Sequence, residues 1–304
     1  MKILKNKKIY LSISGLLVFL SIISVLWFGF NLSVDFKGGT VYEIQYKNSI
    51  PTLDQITKSL KKENVKNVTI QKKGGDFFVI KTPDFSEEIK KNINRGLNLD
   101  GKYSFEEKRV KSIGPSISSE LENKSIFAII FVSIIIILFI AYVFRKVAKP
   151  VSSFKYGLVA VIALIHDIII PIGVFALLGH FFVDYQIDVL FVTALLAILG
   201  YSVNDTIVIF DRIRENLNRE KNPDNIQGKK FEKIVGESLN QTIVRSLNTS
   251  ITTFIVIILL YIFGGETTKP FALVLSIGVL VGTYSSIFLA SPLLILIEQK
   301  QKKK

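Results

Sequence analysis

Long apolar blocks constrain this chain more than any other feature. One runs through residues 9–30, and blocks of similar length recur through the C-terminal two thirds of the sequence. A bilayer core is ~30 Å thick and takes ~20 helical residues to cross. Within it every backbone N–H and C=O must be paired inside the protein, so such blocks fold as spanning helices. The expected architecture is a polytopic α-helical membrane protein with six transmembrane helices. They are read at residues 9–30, 125–144, 156–178, 187–210 and 244–263, with the sixth running from Pro270 to about Ile297. Thr268 and Pro270 stand at the N-cap and near the first helical position of the sixth. His166, Asp167 and Pro171 interrupt the third.

Charge follows these blocks. The net charge is +13, which could point to nucleic acid, but the positive residues sit between the apolar blocks and at both ends. Lys2, Lys5, Lys7 and Lys8 precede the first span. Arg145, Lys146, Lys149 and Lys155 follow the second. Arg212, Arg214, Arg219, Lys221, Lys229, Lys230 and Lys233 follow the fourth, and Lys300, Lys302, Lys303 and Lys304 end the chain. The two short connections on the other side hold only Lys269. This asymmetry satisfies the positive-inside rule and is expected to place both termini in the cytoplasm, with the lipid bilayer and no nucleic acid as the partner of that charge. The first block is too long for a signal peptide and no small-x-small cleavage site follows it, so it reads as an uncleaved first span. With no Cys and only two His, the sequence argues against a disulfide framework, a thiolate or histidine-rich metal centre and a cysteine nucleophile. Neither a cofactor nor a metal is expected, and no enzymatic chemistry.

Residues 31–124 break the apolar pattern. Gly38 and Gly39 lead into an alternating strand, Val41 to Tyr46, where the glycines serve backbone geometry rather than a phosphate loop. Leu53, Ile56 and Leu60 have helical spacing after Thr52, a residue type that caps helices. Val68 to Ile70 and Phe77 to Ile80 flank Lys72-Lys73-Gly74-Gly75-Asp76, a hairpin signal. A second helix is read at 85–101 and a last strand at 103–110. The βαββαβ order points to one α+β ferredoxin-like domain between the first two spans, outside the cytoplasm. Three parts follow: residues 1–30, the extracytoplasmic domain 31–124, and 125–304 with the other five spans.

The chemistry concentrates in residues 200–216, where an apolar span turns into alternating charges. Asp205 lies about six residues before the charged end of the fourth span, ~9 Å into the membrane at 1.5 Å per residue. An ionisable group at that depth is costly and marks a functional site unless it is a structural carboxylate paired at a helix interface. Tyr201 and Ser202 share its face, Arg212 follows two turns below, and Gly200 and Asn204 form an adjacent face open to a close neighbour. The fifth span supplies the expected neighbour. Only residues 254–263 of it are solidly apolar, so the helix takes in Thr242, Ser246, Asn248, Thr249, Ser250, Thr252 and Thr253, with Arg245 at the entrance. Such a polar half-helix must face protein or water. Arg245 reads either as a partner of the carboxylate or as a side chain snorkelling to the headgroups. His166 and Asp167 lie near the middle of the third span, as a proton relay or as a buried structural pair. On the sixth span Gly278, Gly282, Ser286 and Ala290 recur at i+4, a packing stripe without chemistry of its own.

The chain resembles SecF members of the SecD/SecF family of bacterial protein-export membrane proteins, relatives of resistance-nodulation-division (RND) transporters. The resemblance is carried by Val34-Asp35-Phe36-Lys37-Gly38-Gly39-Thr40, Ile113-Gly114-Pro115-Ser116, Ala163-Leu164-Ile165-His166-Asp167, residues 200–216, Asn240-Gln241-Thr242-Ile243-Val244-Arg245-Ser246, and the stretch from Gly282 to Pro292. Lys37 between Phe36 and the glycines, and Ser246 after the Arg, are small departures. The resemblance implies a multi-pass protein of the bacterial cytoplasmic (inner) membrane that pairs with SecD, six spans each, and assists the SecYEG channel. It implies that the proton gradient, with Na⁺ as the alternative ion, helps draw the preprotein across. By similarity Asp205 is the proton-carrying carboxylate and Arg245 its charge partner, with Asn204 and Thr206 beside them and a less defined role for His166 and Asp167. Two other readings compete. A half-transporter of the same superfamily moving lipids or drugs would need a larger outer domain and a second outer insertion. A sensor or scaffold leaves the intramembrane Asp205 without a purpose.

Overall fold

The computed structural model describes residues 2–47, 49–65, 67–83, 86–99, 101–145, 152–182, 184–220, 226–265 and 268–301. Phe85, Lys146, Lys149, Lys221 and Lys302 to Lys304, given above as a helix start or as loop and tail charges, lie outside these residues. The chain divides into two units. One comprises Met1–Phe30, Phe127–His180 and Leu190–Lys304; the other comprises Asn31–Ile126 and Phe181–Val189. A one-turn helix α1 (Lys2–Lys5) precedes the first long helix, α2 (Lys7–Phe28).

In the second unit the Ser33 Oγ accepts the Asp35 N–H and starts the short helix α3 (Val34–Lys37). Gly38 and Gly39 then take φ values of +73° and +108°, and a Cβ on Gly39 would lie 2.3 Å from the Thr82 carbonyl oxygen. Only glycine fits that entry into β1 (Gly39–Tyr46). α4 (Leu53–Lys62) opens with a capping box: the Thr52 hydroxyl accepts the Gln55 N–H, and the Gln55 side chain accepts the Thr52 N–H. The expected hairpin forms β2 (Thr69–Gly74) and β3 (Phe77–Thr82). α5 (Glu87–Asn98) is shorter than the sequence suggested, since Leu99 turns left-handed at φ +46° and stops it. β4 (Phe105–Ile113) runs further, because Ile113 still pairs with Gly39. The order βαββαβ is as read, and the four strands line up antiparallel as β2-β3-β1-β4. Tyr42, Ile44 and Tyr46 of β1 alternate into a core with Ile56, Leu60, Phe78, Ile80, Ile93 and Leu97. α4 and α5 touch at Gly96, where a Cβ would come within 2.7 Å of Leu60 Cδ2. The Tyr46 hydroxyl donates to the Leu97 carbonyl at 3.0 Å. Burial, with Glu107 and Glu87 nearby, pushes the Tyr42 hydroxyl up to about 12.

Residues 181–189 also belong to this unit, whereas the sequence suggests a short connection ending at Gln186 and a fourth span starting at Ile187. The Ile187 N–H donates to the Asn31 carbonyl at 2.9 Å, and the Ser33 N–H to the Ile187 carbonyl at 3.0 Å. Asp184 pairs with Lys73 at 2.9 Å. The buried Asp35 carboxylate pairs with Lys111 and accepts the Val189 N–H at 3.4 Å.

The remaining helices are α6 (Pro115–Val143), α7 (Ser153–Phe181), α8 (Val189–Asn218), α9 (Lys229–Phe263), α10 (Lys269–Tyr284) and α11 (Ser291–Gln301). A π-helical turn, Ser285–Ala290, joins the last two into one span. With α2 this makes, among the described residues, six helices long and apolar enough to cross a membrane. Several limits differ from those expected. α6 starts at Pro115 rather than near residue 125, continuing through polar turns braced by a Glu120–Lys124 pair. α8 and α9 absorb most of the basic segment expected as a loop, because charges at helical spacing pair along one face, as Glu215 does with Arg212 and Arg219. α7 runs unbroken through His166, Asp167 and Pro171, correcting the expected interruption. Thr268 does precede α10, with Pro270 in its first turn, although its hydroxyl makes no capping bond.

Burial sorts the helices of the membrane unit. In their most apolar stretches α7 and α8 are 56% buried and the last span 61%, against 11% for α2, 6% for α6 and 17% for α9. Small residues let the buried helices touch. A Cβ on Gly278 would lie 2.2 Å from Ile198, and Gly282 faces Ser202 of α8 at 3.3 Å, so the small-residue stripe is a packing surface as expected. Elsewhere in the bundle Gly173 of α7 meets Ser21 of α2, and the Ser24 hydroxyl donates to the Gly173 carbonyl at 2.7 Å.

Candidate functional site

Asp205 is buried on α8, 4% exposed. Helical spacing sends its neighbours to different helices. The Tyr201 hydroxyl reaches Ser250 on α9 at 2.9 Å, Ser202 donates to Asp167 on α7, and the Thr206 hydroxyl meets Ser286 of the π-helical turn at 2.8 Å. Across from Asp205 stand Ser246 and Ser250 of α9, with the Arg245 charge acting on it from the same helix. Asp205 Oδ2 and Ser246 Oγ nevertheless have no hydrogen bond of good geometry. The carboxylate therefore keeps spare acceptor capacity in a buried place.

α9 presents a buried hydroxyl stripe at four-residue spacing: Ser238, Thr242, Ser246 and Ser250. Most of these hydroxyls bond back to the carbonyl one turn earlier, as Ser238 does to Ile234, Thr242 to Ser238 and Ser250 to Ser246. Ser250 also accepts from Thr283 of α10 at 2.6 Å, linking the neighbourhood of Asp205 to the last span.

Arg245 is exposed, and among the described residues it forms no ion pair with Asp205. Asn204, one residue before Asp205 and 100° round the helix, is also exposed. A Cβ added at Gly200 would meet nothing within 4 Å, so this chain does not fill the open face read from the sequence. Asn248, Thr249 and Thr252 extend the exposed polar strip along α9. Of the residues singled out in the sequence, Asp205 and Thr206 point into the bundle, Asn204 and Arg245 do not, and His166 and Asp167 form a separate buried pair with Nδ1 and Oδ1 2.8 Å apart. Among the described residues no group of three or more His, Cys, Asp or Glu could hold a metal ion.

Thr283 and Ser285 carry much of this network together with Ser250, and the sequence gives these two no role of their own beyond their place between Gly282 and Pro292. Their signal was the run Gly282-Thr283-Tyr284-Ser285-Ser286, small and hydroxylated residues in the middle of an apolar span.

A multi-spanning helical bundle with hydroxyl-lined carboxylates in its interior, and one small α+β unit, defines a membrane protein of the transporter type. Residues 94–300 match the family described as protein export membrane protein SecD/SecF, C-terminal, and residues 25–50 match the SecD/SecF GG motif. The chain is 40% identical to the protein translocase subunit SecF of Thermobaculum terrenum, over 95% of this chain and 91% of that one. It is 36% identical to the protein translocase subunit SecF of Calditerrivibrio nitroreducens, over 99% and 95%. Its fold is similar to SecDF of Thermus thermophilus, described as a translocon-associated membrane protein, with a TM-score of 0.82 at 28% identity over 98% of this chain. The chain spans 39% of the length of that SecDF chain. It belongs to the SecD/SecF family, on its SecF side.

Proposed function

We propose that this chain is the SecF half of a gradient-driven export machine in the bacterial inner membrane. In this reading both termini are cytoplasmic, the ferredoxin-like domain lies on the far side, and SecD supplies the helices that cover the polar strip on α8 and α9. The pair then assists a SecYEG channel in drawing out the preprotein. The observation that carries the reading is the buried Asp205 carboxylate, with one oxygen lacking a partner, beside a hydroxyl-lined helix and an exposed Arg245.

Desolvation disfavours a charged carboxylate, and a nearby guanidinium favours it. If Arg245 draws up to Asp205 the carboxylate is held charged; if the helices part it takes a proton. One charge moving through 100 mV supplies ~2.3 kcal/mol, which biases a two-state element roughly 50-fold. The outer domain, joined to the bundle through the first and second spans, would turn that bias into a pull on the emerging chain. The longer SecDF chain, of which this one matches 39%, supports a SecD partner. Export in cells carrying Asp205→Asn tests the reading. Normal expression of the variant together with intact gradient-dependent export would overturn it.

A further inference from the structure

Asp167 has no part in that scheme, yet among the described residues it is the most enclosed carboxylate of the membrane unit, 0% exposed. Its Oδ1 bonds to His166 Nδ1, while its Oδ2 accepts from Ser202 of α8 and from Ser285 of the π-helical turn at 2.7 Å. Three helices thus converge on one carboxylate. His166 is 3% exposed, and its Nε2 has no hydrogen-bond partner. Its ring stacks on Tyr284 at 6.3 Å, and the Tyr284 hydroxyl donates to the Tyr10 carbonyl of α2 at 2.9 Å. Pro171 offers no N–H to the Asp167 carbonyl four residues before it, so that carbonyl lacks its usual helical donor.

The groups facing Asp167 are His166 on its own helix, Ser202 on α8 with Asp205 one turn further on, and Tyr284 and Ser285 on the last span. Among the described residues no Lys or Arg pairs with it, from α2 and α9 included. A charged carboxylate so deep, with only neutral donors and an imidazole, is costly unless a proton balances it. The unpartnered Nε2 leaves a position open on the pair.

We propose that His166–Asp167 is a second proton-binding centre, distinct from Asp205, that tightens or loosens the last span through Ser285. The step needs no co-reactant. With Nδ1–H facing a carboxylate, the pair carries one negative charge. A proton added at Nε2, with the Nδ1 proton passing to Oδ1, gives a neutral imidazole facing a carboxylic acid, and the net charge of the pair is zero. Hydrogen bonds to a charged acceptor are roughly twice as strong as neutral ones, so protonation weakens the hold on Ser285. That residue opens a π-helical turn, a distortion that gathers at functional sites. The next residue, Ser286, bonds Thr206 beside Asp205. Only the link to export rests on the reading of Asp205; proton binding at Asp167 does not.

The test is infrared pH-difference spectroscopy of the full chain in lipid vesicles, in the C=O stretch region of buried carboxylic acids. Asp167→Asn should remove one pH-dependent signal that survives in Asp205→Asn. Ser285→Ala, a milder change, should move the midpoint of that signal by roughly half a pH unit or more. A spectrum of Asp167→Asn identical to wild type, or an unmoved midpoint in Ser285→Ala, would overturn the proposal. A missing contribution from Asp205 alone would instead count against Asp205 as the proton carrier and leave the second centre standing.

Discussion

Asp167 and Asp205 lie in one bundle and differ in what this chain gives them. Asp167 meets donors from α7, α8 and the last span, all contributed by this chain. Asp205 keeps an oxygen without a partner and faces α9, which is only 17% buried in its apolar stretch and exposes Arg245, Asn248, Thr249 and Thr252. Polar side chains at membrane depth need protein or water around them. One site is therefore closed within the chain, while the other is buried beside an exposed polar strip that this chain leaves uncovered. A closed site fixes structure and can hold a proton; one beside an uncovered strip can be rearranged by a partner.

The comparison can be broken first at Arg245. Arg245→Gln should reduce gradient-dependent export by up to roughly 50-fold, the full bias of one charge moving through the field. Added to Asp205→Asn it should cost little more, as expected of two residues acting as one unit. Additive losses in a double-mutant cycle would separate the two residues. A change of packing should strike the closed site instead. Gly278→Leu drives a side chain into Ile198, and should lower the bundle's stability by about 1–3 kcal/mol in a thermal unfolding assay in detergent. Asn204→Leu, on the open face, should leave that unfolding temperature unchanged while weakening co-purification with SecD. A drop in stability there would mean that the chain fills the face by itself.

Smaller effects belong to the α+β unit, where neither carboxylate is involved. Thr52→Ala removes the capping box and should cost about 1 kcal/mol in chemical denaturation, with export unchanged. Tyr42 is held neutral up to about 12, against 10.0 for an ordinary tyrosine. A folded-state value above the unfolded one stabilises below the unfolded value and is lost as pH rises through the folded one. The α+β unit should therefore lose stability between those two values, and Tyr42→Phe should flatten the loss.

What could be read from the sequence follows the length scale of each signal. Apolar blocks and the Thr52–Gln55 box are local patterns, and both reappear in the structure. Helix limits were misread at α6, α8 and α9 because turns beyond the membrane are polar and carry no apolar period. Asp205 stood out as a charge among apolar residues. Ser285 and Thr283 did not, because a hydroxyl in a spanning helix usually bonds back to its own backbone; only the approach of α7 and α9 gives them other partners. The exposure of Arg245 was equally hidden, since Ser246 shares nearly the same depth and one residue step decides which of them faces inward.

The most direct measurement is preprotein transport into inverted membrane vesicles, at constant ATP and in K⁺ buffer without Na⁺, with and without an imposed proton gradient. Vesicles with the wild-type chain should transport faster when the gradient is applied, and vesicles with Asp205→Asn should show the same slow rate in both conditions. An Asp205→Asn chain, present at wild-type level, that still responds to the gradient would contradict the account.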